Sequence, residues 1–222
     1  MKQSLIRASV LLALTGAGAV VAVALLELPA APIELSVAVA DALGRSGVTH
    51  PVTAVLLNFR AFDTLLEVLV LLVALLGTHS ATRPATLPVV VRDPVLDVAA
   101  RTLVPLMLLA AAYLLWAGAT RPGGAFQGAA VAAAGGVLLV LCGLGPHSLA
   151  PGGAIRSVLV AGPIVFLLVA VSGGSALLTL PPAYAGGLIL LIESALTVSL
   201  ALLLWALFLC IAASDPGDGA RP

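Results

Sequence analysis

The sequence predicts an all-α, polytopic membrane protein of about six transmembrane helices, with both termini on the inner side of the membrane. Three observations predict this fold class: the composition, the length of the apolar runs, and the distribution of basic residues. Of the 222 residues, 61% are hydrophobic and only 9% are charged, whereas a soluble domain carries about 25% charged residues. Because so few polar side chains cannot cover a globule in water, the expected solvent is a lipid bilayer.

Six continuous apolar runs account for the predicted helices. A transmembrane helix needs about 20 mostly apolar residues, because every backbone polar group must be paired within hydrocarbon. The runs are unbroken blocks rich in Leu, Val and Ala, which favours helices over alternating strands. The predicted spans are residues 5–26, 52–76, 101–118, 124–144, 155–178 and 186–212.

The first run also has some features of a cleaved signal peptide. Lys2 and Arg7 precede the apolar stretch, and Ala30 and Ala31 follow it. A signal peptide, however, has an apolar region of about 7–15 residues, and the stretch of residues 8–26 is longer. We therefore expect a retained membrane anchor, with a cleaved signal as the alternative.

Basic residues predict the orientation, because inner loops carry an excess of Lys and Arg. If the N-terminus is inside, the outer segments hold Arg45 and Arg121. The inner segments then hold Lys2, Arg7, Arg83, Arg92, Arg101, Arg156 and Arg221. This asymmetry favours an inner N-terminus, an inner C-terminus and an even number of spans.

Two connections divide the chain. Residues 27–51 form the longest outer connection, and their apolar residues at near-helical spacing leave two possibilities open, a short interfacial helix or a plain loop. Residues 78–98 contain three prolines, which favours an inner linker. We therefore predict a two-helix N-terminal part at residues 1–98, a four-helix domain at 99–214, and a short tail at 215–222.

Charged residues inside the predicted second span are the first candidate functional site. A charged side chain near the centre of a span costs about 2.5–3.5 kcal/mol on the insertion scale, so it persists only with a partner or a water-filled path. Arg60, Asp63 and Glu67 fall within roughly 60° of one another on a helix, and both acids lie near the middle of the run. In one interpretation an acid exchanges a proton or a cation. In the other, Arg60 neutralises Asp63, and Glu67 bonds statically to another helix.

The predicted fourth and sixth spans carry further candidates. Glu193, with Thr197 on the same face, is a buried acid that either faces a hydrated region or bonds to a neighbouring subunit. Gln127 lies near the membrane edge, where it can bond across helices or line a cavity. Small residues every four positions predict a close helix–helix contact. That stripe consists of Gly124, Gly128, Ala132 and Gly136.

Other features favour structural roles. Gly162 and Pro163 predict a tolerated bend in the fifth span, although such breaks also build ion sites in transporters. Cys142 and Cys210 lack metal-binding or disulfide spacing, and none of the three His residues has a second ligand at metal spacing. Equal numbers of basic and acidic residues argue against nucleic-acid binding. No catalytic or cofactor motif is present, so we expect no enzyme activity and no cofactor.

Two segments resemble known transport proteins. Residues 59–67 (FRAFDTLLE) resemble the FRGFDTLGE segment near the C-terminal end of the large MrpA subunit, which also occurs as the separate MbhE protein of membrane-bound hydrogenases. Residues 122–128 (PGGAFQG) resemble the PGGGFQGG motif of the MnhB/MrpB family, and residues 187–198 are similar to the last helix of that family. The resemblance covers residues 51–212, and both acids of the first motif, Asp63 and Glu67, are present.

The resemblance implies a subunit of a multi-subunit Mrp-type Na⁺/H⁺ antiporter in the cytoplasmic membrane. Its expected partners are the other membrane subunits of the complex, the lipid bilayer, and the transported cation and H⁺. Asp63 and Glu67 are the expected ion- or proton-handling groups, with Arg60 tuning their charge, and Gln127 and Glu193 rank behind them. Two alternatives stay open: a structural subunit of a redox complex such as a membrane-bound hydrogenase, and a self-sufficient small transporter.

Overall fold

The computed structural model describes residues 2–27, 34–81, 93–145, 153–172, 180 and 182–214. Within these ranges all regular structure is helical, which confirms the predicted all-α class. A 3₁₀ turn at Leu43–Arg45 and a π-helical segment at Val55–Phe59 lie between helices. The α-helices are α1 Lys2–Leu26, α2 Leu35–Ala42, α3 Pro51–Ala54, α4 Ala61–Ala81, α5 Pro94–Ala117, α6 Ala125–Leu141, α7 Gly153–Ser172 and α8 Ala185–Ser214.

Four of these helices are long and apolar enough to cross a bilayer: α4, α5, α7 and α8. Two shorter apolar helical stretches, Leu11–Leu26 and Ala125–Leu141, lie at or just below the usual spanning length. The multi-pass membrane class is therefore confirmed. The total of six spans and the inner placement of both termini stay predictions.

The chain divides into two compact units, Met1–Ala38 and Val39–Pro222. In the first unit, α1 presents its described apolar side chains outward, for example Leu12 at 75% exposure. A helix that is apolar all round requires lipid or another protein around it. The connection over residues 27–51 does contain a helix, α2, so the plain-loop alternative is wrong for residues 35–42.

In the second unit, α8 is the central helix and contacts α4, α5, α6 and α7. One face of α8 is buried completely, because its apolar residues recur every three or four positions and so align along the helix. These residues are Ile189, Ile192, Leu196, Leu200 and Leu203. The same packing buries two polar side chains of α8, Glu193 and Ser199.

Two helix ends differ from the predicted ones for local reasons. α5 begins at Pro94, earlier than the predicted residue 101, because the Asp93 side chain accepts the Val95 N–H at 2.8 Å and Pro94 occupies the first helical position. α7 ends at Ser172 among the described residues. The predicted end of that span at residue 178, with the Gly173–Gly174 pair, lies outside them.

α8 supplies a donor for the carbonyl that Pro163 leaves unpaired in α7. Proline has no N–H to donate to the carbonyl four residues earlier, which here is that of Leu159. The Ser199 hydroxyl on α8 donates to this Leu159 oxygen at 2.5 Å. Gly162 permits the approach, because a Cβ at this position would lie 2.8 Å from the Ser199 Cβ. The Ser199–Leu159 hydrogen bond therefore joins α8 to α7 beside Pro163.

Candidate functional site

The helix that carries the acidic motif is interrupted just before it. α3 continues into the π-helical segment, where the Arg60 N–H bonds to the Val55 oxygen at 2.8 Å, and Arg60 then leaves helical geometry at φ −131° and ψ 36°. The Thr64 hydroxyl donates to the Leu56 oxygen at 2.6 Å across the break. The sequence predicted an unbroken span over residues 52–76. π-Helical turns of this kind occur frequently at functional sites.

Asp63 and Glu67 lie one turn apart on α4, and Arg60, just before the helix, pairs with Asp63. Arg60 Nη2 lies 2.5 Å from Asp63 Oδ2, and these side chains are 66% and 45% exposed. Glu67, one turn further, is also exposed, and no hydrogen-bond or ion-pair partner for it exists in the part of the chain that the structure describes. The opposite face of α4, with Leu65 and Val68, is buried in the core. The charged face is therefore not covered by the chain itself.

Glu193 has a different environment, because its side chain is only 3% exposed. It projects from α8 toward the N-terminus of α6 and accepts a hydrogen bond from the Ala125 N–H. The N-cap residue of α6 is Gly124, at φ 107° and ψ −170°, and α6 has no side-chain cap of its own. A carboxylate is well placed there, because the first N–H groups of a helix are unpaired and carry partial positive charge.

Glycines make room for this carboxyl group. A Cβ at Gly124 would lie 2.7 Å from Glu193 Oε1, and a Cβ at Gly118 would lie 3.2 Å from the same atom. Glu193 Oε2 is buried and has no hydrogen-bond partner among the described residues. Thr197, which the sequence places on the same face, donates to the Glu193 backbone oxygen at 2.7 Å and not to the carboxyl group. One carboxyl oxygen is thus held by α6, and the other is buried and unpaired.

A row of polar contacts joins this site to one end of the second unit. The Thr53 hydroxyl donates to the Gly118 oxygen at 2.5 Å, and His50 Nδ1 lies 3.4 Å from that hydroxyl. The backbone N–H groups of Thr49 and His50 both donate to the Ala119 oxygen at 3.2 Å. The start of α3 therefore packs on the α5–α6 connection directly beside Glu193. No sequence spacing relates Thr53 to Gly118, so the sequence could not predict this contact.

The stripe of small residues on α6 packs between α5 and α8. A Cβ at Gly128 would lie 2.9 Å from the Ala111 oxygen on α5 and 3.5 Å from Thr197 Cγ2 on α8. A Cβ at Gly136 would lie 2.9 Å from Trp205 Cδ2. Ala132 is half-buried in the same row. Gln127 is exposed, and its Oε1 lies 3.9 Å from the Cβ position of Gly124, so it borders the Glu193 site from outside.

The remaining candidates do not form a metal centre. Among residues whose positions the structure describes, no three His, Cys, Asp or Glu side chains gather in one place. Cys142 is buried, Cys210 is half-buried, and neither forms a disulfide. His79 is exposed near the end of α4, and His147 lies outside the described residues.

Comparison with protein families gives one match. The family described as "Domain related to MnhB subunit of Na+/H+ antiporter" matches residues 95–214, more than half of the chain. The chain belongs to this MnhB-related family. The matched region contains α5 to α8, and so includes both Glu193 and the helix that holds its carboxyl group. Comparison with curated proteins gives no match.

Two solved structures are similar to the chain in fold. One is the membrane-bound sulfane sulfur reductase, an archaeal respiratory membrane complex, with a TM-score of 0.71 and 21% identity over 93% of this chain and 98% of that one. The other is the Mrp complex from Dietzia sp. DQ12-45-1b, with a TM-score of 0.65 and 23% identity over 100% of this chain. The chain spans only 27% of the length of that second chain. Both structures are multi-subunit membrane complexes.

Proposed function

We propose that this MnhB-family chain is a membrane subunit of an Mrp-type antiporter that exchanges Na⁺ or a related cation for H⁺ across the cytoplasmic membrane. The observation that carries the proposal is the family match over residues 95–214. The fold likeness to a chain of an Mrp complex supports it. The subunit works within a complex and contributes intramembrane acids and helix contacts to it.

The charged face of α4 supports a role in contact with another subunit. Asp63 and Glu67 lie on α4, which is long enough to cross the membrane, and Arg60 directly precedes it. The chain leaves Arg60 and Glu67 exposed and Asp63 partly exposed. Ionisable side chains within a membrane almost always face the interior of a bundle or a water-filled cavity, and they mark ion pathways. A neighbouring subunit that covers this face would place the acids inside the assembly, at the boundary between two chains.

Asp63 and Glu67 have separate roles at this boundary between two chains. Asp63 pairs with Arg60 at 2.5 Å, so its charge is already balanced within the chain. Glu67, one turn away and without a partner among the described side chains, is the better candidate for binding and releasing a cation or a proton. Arg60 sets the local charge and, by holding Asp63, prevents two adjacent unpaired carboxylates.

A structural subunit of a respiratory redox complex is the second candidate function. The fold likeness to the sulfane sulfur reductase complex favours it, because that match covers 98% of the matched chain. The two functions predict different neighbours: antiporter subunits in one case, and subunits that carry metal clusters in the other.

Two experiments together test the proposed function. In one, the chain is deleted from its host; in the other, the tagged chain is purified in mild detergent. We expect the chain to co-purify with large antiporter subunits. Inverted vesicles from cells that lack it should lose the Na⁺-dependent collapse of a pre-formed ΔpH, and re-expression should restore it. Undiminished Na⁺-dependent exchange in the deletion strain, or co-purification with redox subunits alone, would contradict the proposal and favour the redox complex.

A further inference from the structure

We propose that Glu193 and the N-terminus of α6 form a proton-binding site inside this chain, separate from the charged face of α4. This deepens the proposed function and rests on it in one respect: the bound proton is one that the complex transports. The site consists of the Glu193 carboxyl group, the Ala125 N–H, and the space left by Gly118 and Gly124.

The burial of Glu193 argues against a purely static role. A buried polar atom without a hydrogen bond costs about 1–3 kcal/mol, and Glu193 Oε2 is such an atom among the described residues. A Ser, Thr, Asn or Asp at the N-cap position could cap α6 from the helix itself. Capping of α6 alone therefore does not explain why an unpaired carboxyl oxygen is buried here. The chain instead has Gly124 at the N-cap position, with a backbone conformation that essentially only glycine adopts. The geometry therefore favours a carboxyl group that reaches in from α8.

The chemistry of the site selects a proton over a metal cation. A hard cation needs several oxygen ligands, and the site presents one free oxygen, Glu193 Oε2. The N–H groups at the start of α6 carry partial positive charge, which repels a cation. A proton needs a single oxygen. Binding forms an O–H bond at Oε2 and converts the carboxylate into a neutral acid, while release to water or a neighbouring group breaks that bond and restores the carboxylate.

The surroundings of Glu193 can accommodate its carboxyl group both ionised and neutral. In the ionised state, the negative charge faces the Ala125 N–H and the positive end of α6. In the neutral state, no isolated charge is left inside hydrocarbon, which removes the desolvation cost of a buried ion. Because Oε1 remains on α6, the proton exchanges at Oε2 without loss of the helix cap.

A row of polar contacts lies beside the site at one end of the unit. Half-buried His50 contacts Thr53, Thr53 contacts Gly118, and the Gly118 position adjoins Glu193 Oε1. The other titratable groups on the described parts of the elements around Glu193 are exposed or partly exposed, except Cys142, which is buried at the opposite end of α6. They are Asp97, Arg101 and Tyr113 on α5, Arg121 in the α5–α6 connection, Arg156 on α7, Tyr184 before α8, Cys210 on α8, His79 on α4, and the charges Arg60, Asp63 and Glu67. His50 is therefore the titratable side chain that the contacts connect to the site.

The test compares Glu193→Gln, Glu193→Ala and Ser194→Ala in the assembled complex. In Glu193→Gln the amide oxygen still accepts the Ala125 N–H, but the amide nitrogen replaces the proton-binding Oε2. Ser194 is the matched control, because its hydroxyl bonds only to the Leu190 oxygen of its own helix at 2.7 Å. Assembly, Na⁺-driven ΔpH in inverted vesicles, and pH-difference infrared spectra are measured for each variant.

We expect Glu193→Gln to assemble and to lose transport at least about tenfold, as for a group that itself transfers protons. Wild type and Ser194→Ala should show an infrared carboxylic-acid band that is absent from Glu193→Gln. Glu193→Ala, which lacks the cap as well, should assemble poorly. Full transport in Glu193→Gln, or an unchanged infrared band, overturns the proposal. Failure of Glu193→Gln to assemble also overturns it, because the charge would then be a fixed structural requirement. The infrared result does not depend on Na⁺ transport, so it separates failure of this site from failure of the proposed function.

Discussion

Gly124 determines both the backbone conformation at the start of α6 and the space available to the Glu193 carboxyl group. Its φ of 107° and ψ of −170° lie in a region that essentially only glycine occupies. The missing side chain also leaves the space that Glu193 Oε1 fills, 2.7 Å from the Cβ position. The glycine thus starts α6 and admits the carboxyl group that caps it.

Substitution of Gly124 by Ala should therefore destabilise the complex. The backbone strain costs about 1–3 kcal/mol, and the new methyl group would displace the Glu193 carboxyl group. We expect a lower thermal unfolding midpoint and reduced assembly. Gly77→Ala is the control, because a Cβ there has nothing within 4 Å and alanine favours a helix interior by roughly 0.5–1 kcal/mol. Equal stability of the two variants would contradict this account of Gly124.

The sequence identified Glu193 and Gly124 as notable residues but did not predict that they contact each other. Glu193 and Gly124 each stood out, one as an acid in an apolar run and the other as the start of a small-residue stripe. Nothing in the spacing of the two joins them, because their contact depends on how α8 packs against α6. From the sequence, Glu193 was expected to face a hydrated region or a neighbouring subunit, and the structure places it against α6 of the same chain.

Among the elements, α7 and α8 show how a proline inside a helix is accommodated in a membrane. No water is present in hydrocarbon to bond a freed carbonyl, so another helix must supply the donor. Ser199 of α8 supplies it to Leu159, the carbonyl that Pro163 leaves unpaired. The sequence predicted a bend from Gly162 and Pro163, which stays a prediction, and it could not identify Ser199, which lies on a different helix.

Ser199→Ala should lower the thermal stability of the complex by about 1 kcal/mol, because the buried Leu159 oxygen loses its donor. In a Pro163→Ala background the restored N–H can donate to that oxygen, so the same serine substitution should cost less. Thermal midpoints of wild type, both single variants and the double variant form the double-mutant cycle. An equal cost of Ser199→Ala in both backgrounds would show that the hydroxyl does not compensate the proline.

The π-helical segment before α4 is a second element that sequence periodicity does not reveal. Residues 54–57 are all apolar and give no sign of an interruption, so an unbroken helix was the natural prediction. The break depends on the Arg60 backbone and on the Thr64 hydroxyl that bonds Leu56. As a result Arg60 lies at the interruption, and the two acids of the motif lie in the first two turns of α4.

Over the whole molecule, the apolar runs predicted the class and the approximate position of each helix, because hydrocarbon imposes both length and composition. Helix ends shifted where a local cap decided them, as at Asp93 and Pro94. The outer surface is largely apolar, and α5 in particular is mostly uncovered. Arg60, Asp63 and Glu67 interrupt that surface at the start of α4, and they argue for an assembly larger than this chain.

The most direct test of this account replaces the acids of that face in the assembled complex. Asp63→Asn and Glu67→Gln are compared with Asp97→Asn, whose carboxylate pairs with Arg101 at 3.1 Å at the start of α5, away from the charged face. Cation-dependent ΔpH in inverted vesicles is measured alongside assembly. The account predicts normal assembly in all three, loss of exchange in Glu67→Gln, a smaller loss in Asp63→Asn, and full exchange in Asp97→Asn. Full exchange in both Glu67→Gln and Asp63→Asn, with normal assembly, would remove these acids from the ion path.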